Sequence, residues 1–319
     1  MKKGWLVGTG FIAIEHAKVL NGLNISYTAV GRGKGSALEF SKQTGKEATL
    51  GGLESFLLSK PSLPDFVINC VPVNYLKEST ELLLKYGVKN ILLEKPAGID
   101  SQEVKDVAKA TSKANAKVYV GYNRRFYNSV IEANKIIVAE GGVTSFNFEF
   151  TEWSHVIGAL EIDPIIKQNW FFANSSHVVD MAFTLAGSWP KEMFCLAQGS
   201  LDWHSKGANF SGSGQTHKGA LFSYHANWDA PGRWGIEIMT KRKKLIFRPL
   251  ERLKIVDVGT VAEYEPQLDY TIDEKYKTGL YRQMKAFLEE DESLFCMIAE
   301  LQENLIIYES ILDGKSLNI

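Results

Sequence analysis

Apolar positions in the first third of the chain come in short runs, separated by stretches with helical spacing. Trp5-Leu6-Val7 is followed by a glycine turn, and residues 11–20 then repeat apolar side chains at the three-to-four spacing of a helix face. Residues 25–30 read as a second strand and 36–44 as a second helix. Residues 66–71 form a buried strand that Pro72 ends. Residues 78–86 read as a helix, with Gly87 where a left-handed cap belongs. A strand at 90–93, a helix at 101–115 and a strand at 117–120 continue the rhythm. Strands alternating with helices pair in parallel, because the helix supplies the crossover, and right-handed crossovers give a doubly wound sheet.

Past Tyr122 the pattern changes. A helix at 128–139 precedes β-type runs at 143–150, 193–199, 220–228, 235–240 and 244–247. Several alternate apolar and polar residues, as half-buried antiparallel strands do. Residues 205–219, rich in Gly and Ser, read as a mobile loop, and helices at 280–288 and 297–312 close the chain. The expected architecture is α/β: an N-terminal Rossmann domain over 1–122, and an α+β domain with a large, open, mostly antiparallel sheet over 123–319. The last helix is a candidate to pack back on the first domain.

The 319 residues agree with two domains rather than one. A net charge of −1 supplies no field to draw the chain to nucleic acid or an anionic membrane, so neither is expected as a partner. The one basic run, Lys241-Arg242-Lys243-Lys244, lies between strand-like stretches and reads as a solvated hairpin turn. Cys70, Cys195 and Cys296 form no CxxC, which argues for a reducing compartment. With no signal-like or membrane-length apolar segment, the expected location is cytoplasmic. No HxxxH or HExxH spacing occurs, so no metal site is expected.

Gly8-Thr9-Gly10-Phe11-Ile12-Ala13 is a GxGxxA turn between the first strand and the first helix. The first glycine permits the turn, the second lets a pyrophosphate approach the backbone, and Ala13 allows close helix–strand packing. The helix N-terminus offers free N–H groups and the positive end of its dipole. These residues, with Cys70, Val71 and Pro72 at the end of the third long strand, are the expected dinucleotide site. An NAD site places Asp or Glu at the end of the second strand for the ribose 2′-hydroxyl. Here Val30-Gly31-Arg32-Gly33-Lys34-Gly35-Ser36 has no acid before Glu39, whereas Arg32, Lys34 and Ser36 suit a 2′-phosphate. NADP is therefore favoured over NAD.

Glu94-Lys95-Pro96 follows one strand and Gly121-Tyr122-Asn123-Arg124-Arg125-Phe126 the next. With the glycine turn, Ser176-His177-Val178-Val179-Asp180 and a helix from Tyr281-Arg282-Gln283 to Phe287, the sequence resembles the Gfo/Idh/MocA family of oxidoreductases over nearly its whole length. The resemblance implies hydride transfer to or from a sugar, cyclitol or sugar nucleotide, a cis Lys95–Pro96 bond, and a homodimer or homotetramer. It also implies that Glu94, Lys95 and Asn123 lie by the cofactor, and that Asn123 and Arg124 lie by the substrate.

The chemistry agrees. Lys95, at the C-terminal end of a parallel strand, can polarise a carbonyl oxygen or take a hydroxyl proton. By resemblance His177 is the second acid/base group, commonly preceded four residues earlier by an aspartate. That position is Ala173 here, leaving Asn174, Ser175 or Ser176 to orient the imidazole, or Lys95 to act with less help. Asp180 either braces the helix or reaches substrate, and Arg125 and Phe126 either anchor the next helix or join the site. Trp153 and Asn174 are further candidates for substrate contact, followed by Lys167, Asn169 and Trp170. The segment 228–234, with Trp228, Asp229, Arg233 and Trp234, reads first as a tight turn with packed indoles. His16, His155, His204, His217 and His225 read as structural. The rival to a dehydrogenase is a non-catalytic NADP-binding regulator or scaffold; a small non-sugar carbonyl or a tetrapyrrole-like molecule is a further substrate class the residues leave open.

Overall fold

The computed structural model describes residues 2–318. In chain order the strands of the first half are β1 Lys3–Val7, β2 Ser26–Val30, β3 Ala48–Thr49, β4 Phe66–Asn69, β5 Asn90–Leu93, β6 Lys117–Val120 and β7 Ser145–Glu149. They continue as β8 Pro190–Gln198, β9 Asn209–Thr216, β10 Leu221–Asn227, β11 Gly235–Met239, β12 Lys243–Phe247, β13 Lys254–Asp257, β14 Cys296–Met297 and β15 Leu317–Asn318. Two compact units result. One comprises the residues up to Asn123 with Ile272–Glu303, the other Arg124–Thr271 with the residues from Asn304 onward.

The first unit holds a seven-stranded sheet in the order β14-β6-β5-β4-β1-β2-β3. All neighbours are parallel except β14, which runs antiparallel to β6. All four residues of β4 and the last four of β1 are buried, the continuous apolar run of strands covered on both faces. The chain leaves β1 toward β2 and β3 on one side and returns through β4 to β5 and β6 on the other. The switch point between β1 and β4 opens the crevice in which such sheets bind ligands. Gly87 ends the helix Leu76–Tyr86 at φ 110°, the left-handed cap its sequence calls for. Asp100 accepts from the Glu103 backbone N–H to start the helix Ser101–Ala114.

The second unit holds an eight-stranded sheet, β13-β12-β11-β7-β10-β9-β8-β15, antiparallel except for the pair β7 and β10. Its inner face is aromatic. Phe146 and Phe148 of β7 stack beside Phe222 and Tyr224 of β10, and Phe183 of the helix Ser176–Ala186 meets Phe146 edge-on at 5.5 Å.

The expectation of a mobile loop over 205–219 is overturned. Most of that stretch is β9, a strand paired on both sides. A Cβ on Gly212 would stand 2.5 Å from the Tyr224 ring and from the Phe194 carbonyl oxygen; one on Gly214 would stand 2.2 Å from the Glu192 carbonyl oxygen. The glycines are there because neighbouring rings and strands fill the space of a side chain, a requirement with no local signature. The basic run does form the hairpin turn between β11 and β12, where Arg242 pairs with Glu140 at 2.9 Å. Among the described residues no helix is long and apolar enough to cross a membrane.

Candidate functional site

The glycine turn leaves β1 at the switch point. Gly8 has φ 118°, and a Cβ there would lie 2.6 Å from the Cys70 carbonyl oxygen, so this residue must be glycine to bring the end of β1 against the end of β4. Gly10 differs: nothing stands within 4 Å of its Cβ position. Gly10 is the N-cap of the helix Phe11–Gly22, and no side chain caps it. An open glycine beside uncapped N–H groups fits a pyrophosphate. Ala13 is fully buried at the helix–sheet contact, and the exposed Phe11 ring carries the Lys277 ammonium 5.5 Å from its centroid.

After β2, the Thr9 and Ser36 hydroxyls meet at 2.9 Å. Gly31 allows this approach, since a Cβ there would stand 2.7 Å from the Thr9 methyl. Arg32 lies with its guanidinium 4.6 Å from the centre of the Tyr75 ring, and Lys34 begins the helix Lys34–Thr44. Thr9, Arg32, Lys34 and Ser36 thus form one cationic, hydroxyl-bearing corner. Tyr75, which no motif marks, helps hold it. The Cys70 thiol is buried against the Val7 carbonyl; burial first, and then the Glu94 carboxylate, push it well above its ordinary value. Cys70 can therefore serve a ligand only through its backbone. Val71 and Pro72 follow it, less buried.

Glu94, Lys95 and Pro96 follow β5, and the Lys95–Pro96 peptide is cis. Glu94 Oε1 lies 2.9 Å from Nε2 of the fully buried His16, so a histidine read as structural turns out to brace this segment from the first helix. Gly121 packs on the same place: a Cβ there would lie 3.4 Å from the Glu94 Cα. Lys95 is half-buried. Asn123, buried, donates through Nδ2 to the Thr278 carbonyl at 2.9 Å.

In the second unit, His177 is 4% exposed on the helix Ser176–Ala186, directly after a π-helical turn, Phe171–Ser175. Single π turns recur at functional sites because they re-aim side chains. Ser175 Oγ donates to Glu152 Oε1 at 2.7 Å and Asn174 Nδ2 to the same oxygen at 3.1 Å, while Ser176 donates to the Phe172 carbonyl. Glu152 carries no recognisable motif and was not among the sequence candidates. Asp180 is resolved as a brace: Arg125 grips it through Nε at 2.9 Å and Nη2 at 2.6 Å, both side chains almost fully buried. A carboxylate so engaged has little left to offer a substrate.

Trp153 is half exposed, donates to the Gly232 carbonyl and lies under the Arg233 guanidinium at 5.4 Å. Arg124 covers the Trp234 ring at 4.9 Å. Trp228 is buried and stacked on Trp203, as the turn reading expects. Lys167 donates to the Gly158 carbonyl and Asn169 to that of Ile165, both local bonds, and Trp170 lies edge-on to Trp203. Among the described residues, no cluster of three or more His, Cys, Asp or Glu side chains could hold a metal ion.

Residues 3–122 match the model of the GFO_IDH_MocA oxidoreductase family, NAD-binding Rossmann fold. Inositol 2-dehydrogenase of Rhizobium meliloti (strain 1021) is 30% identical over 139 residues, 43% of this chain and 41% of the relative; the match thus spans less than half of that curated relative. Among solved structures, an oxidoreductase from Thermotoga maritima superposes with TM-score 0.77 at 18% identity, covering 99% of this chain and 98% of the other. A levoglucosan dehydrogenase in complex with NADH gives 0.78 at 16%, covering 98% and 96%. An inositol dehydrogenase homolog with NAD+ from Azotobacter vinelandii gives 0.74 at 17%, covering 100% and 97%. At these identities the structural likeness shows the fold.

Proposed function

We propose that this chain is an NADP-dependent oxidoreductase that moves a hydride between nicotinamide and the hydroxyl or carbonyl carbon of a sugar, cyclitol or sugar nucleotide. One observation carries the reading: within a single unit, an open glycine turn after β1, a cationic, hydroxyl-bearing corner after β2 and the Lys95 turn after β5, braced by His16, are assembled on strands of one parallel sheet. The polyol class is supported by the names of the relatives, an inositol dehydrogenase and a levoglucosan dehydrogenase.

The residues that would hold the dinucleotide are Gly8, Thr9, Gly10, Phe11 and Ile12 for the pyrophosphate and Arg32, Lys34 and Ser36 for the 2′-phosphate. Cys70, Val71, Pro72, Glu94 and Asn123 would contribute further along it. The cofactor, when bound, supplies or accepts the hydride. Lys95 polarises the substrate oxygen for reduction or accepts the hydroxyl proton for oxidation. His177 is the second acid/base candidate, and Asn123, Arg124, Trp153 and Asn174 are the candidates for binding substrate. The absence of an acid at the end of β2 supports NADP over NAD. The outer side of β8 and β10 exposes Phe194, Leu196 and Leu221, which supports a homodimer or homotetramer. Three buried, unbridged cysteines agree with a cytoplasmic setting.

The test is a panel of polyols, sugars and sugar nucleotides incubated with oxidised or reduced dinucleotide, following nicotinamide absorbance. Turnover with NADP at a kcat/KM at least about tenfold above that with NAD is expected. Tight NADP binding with no turnover across the panel would favour the scaffold reading, to which Ala173 lends its weight.

A further inference from the structure

Several arginines of this chain are held by carboxylates: Arg125 by Asp180, Arg242 by Glu140, Arg248 by Glu149 and Arg282 by Asp273. Arg32 is held differently. Its guanidinium lies 4.6 Å from the centre of the Tyr75 ring. Its aliphatic stem runs beside Gly52, where a Cβ would stand 3.7 Å from the Arg32 Cβ and Cγ. Among the described residues, no carboxylate pairs with Arg32 and no acceptor takes up its N–H donors.

Both partners of this contact are fixed at the backbone. The Gly31 N–H donates to the Thr49 carbonyl at 2.9 Å and the Gly52 N–H to the Gly31 carbonyl at 3.0 Å, which pins the turn that carries Arg32. The Tyr75 N–H donates to the Pro72 carbonyl at 2.8 Å, and Ser79 Oγ to the Tyr75 carbonyl at 2.7 Å, which pins the turn that carries the ring. β2 and β4 lie on either side of β1, so the contact joins the two loops that flank the glycine turn.

A long cationic side chain is mobile, and freezing it on a ligand costs rotamer entropy. A ring that already holds the guanidinium removes part of that cost. An aromatic face does so without neutralising the charge, whereas a carboxylate would compete with any anionic ligand. A cation held in this way, one residue after the glycine that packs on Thr9, is prepared for a phosphate dianion.

We propose that Tyr75 is a positioning residue for the choice of dinucleotide: its ring presets the Arg32 guanidinium to receive the 2′-phosphate, and so sets part of the margin by which NADP is held over NAD. The inference deepens the proposed NADP site and rests on that reading.

The experiment is calorimetric titration of the intact protein with NADP, NAD, adenosine 2′,5′-bisphosphate and 5′-AMP, none of which requires turnover. Tyr75→Ala should weaken NADP and the bisphosphate by about fourfold, the worth of one exposed cation–π contact, and leave NAD and AMP unmoved. Tyr75→Phe, which keeps the aromatic face, should bind all four as the wild type does. Tyr75→Leu, which fills the space without a π face, should match Tyr75→Ala and serves if that variant does not fold. In an Arg32→Ala background, Tyr75→Ala should cost nothing further, because the ring acts only through the guanidinium. Full additivity of the two substitutions, or equal weakening of NADP and NAD by Tyr75→Ala, overturns the proposal. A wild type that holds NADP no tighter than NAD overturns the NADP reading and the inference with it. A preference for NADP that Tyr75→Ala and Tyr75→Leu both leave intact overturns the inference alone.

Discussion

The first unit places its candidate chemistry with backbone. Its sheet is held by parallel ladders, and its working positions are strand ends where a missing side chain matters most: Gly8 against the Cys70 carbonyl, Gly31 under Thr9, Gly121 against Glu94. The second unit places its candidate chemistry with side chains. There a buried Arg125–Asp180 pair, a Glu152 cluster and a layer of phenylalanines set the helix that carries His177. Backbone cradles recur as short local spacings because the constraint is covalent and nearby. Side-chain scaffolds join residues far apart in the chain, and many compositions can build them.

This contrast can be broken most sharply at Lys95. Lys95→Met should lower kcat by about a thousandfold while NADP affinity, by equilibrium titration, stays within a few-fold; undiminished turnover would remove the lysine from the chemistry. Next comes the buried pair in the other unit. Arg125→Met leaves the Asp180 carboxylate buried without its partner and should cost about 3–5 kcal/mol in denaturant unfolding, provided the unit unfolds in one step. A loss under 1 kcal/mol would mean that the aromatic layer, rather than the ion pair, holds that helix.

The two glycines of the turn separate strain from access. Gly10→Val occupies open space, so the melting temperature should hold while NADP affinity drops by about a hundredfold; Gly8→Val should lose both. If Gly10→Val bound NADP normally, the pyrophosphate would not run past this residue. In β9, Gly214→Ala meets the Glu192 carbonyl and the Phe222 ring, and overpacking there should cost about 1–3 kcal/mol with dinucleotide binding unchanged. The smallest effect is expected at the corner formed by Thr9, Arg32 and Ser36. Arg32→Ala, which also releases Tyr75, should weaken NADP about tenfold and leave NAD nearly untouched. Equal weakening of both would move Arg32 to the adenine.

Much of the first unit was legible because its period and punctuation agree. The strands at 90–93 and 117–120, the helix beginning at Ser101 and the cap at Gly87 lie where the pattern puts them. The family likeness was legible from the glycine turn and Glu94-Lys95-Pro96. Less visible was the bracing. His16 lies 78 residues from the Glu94 it contacts, and nothing around it distinguishes it from any other helix histidine. The loop expected at 205–219 failed for a related reason: glycine and serine, read locally, signal freedom, whereas Gly212 and Gly214 answer to Tyr224 and Phe222 on the next strand.

By itself, then, the sequence determined the order of most strands and helices in the first unit, the kind of sheet in each half, and which short motifs can cradle a dinucleotide or present a lysine. These follow from interactions between residues close in the chain, where periodicity, turn chemistry and covalent geometry act. Tertiary structure alone decided that Asp180 belongs to Arg125, that Glu152 accepts from Asn174 and Ser175, and that a glycine-rich stretch is a strand. Each depends on which distant surfaces meet, and pairing energies between remote side chains leave no spacing behind in the sequence that produces them.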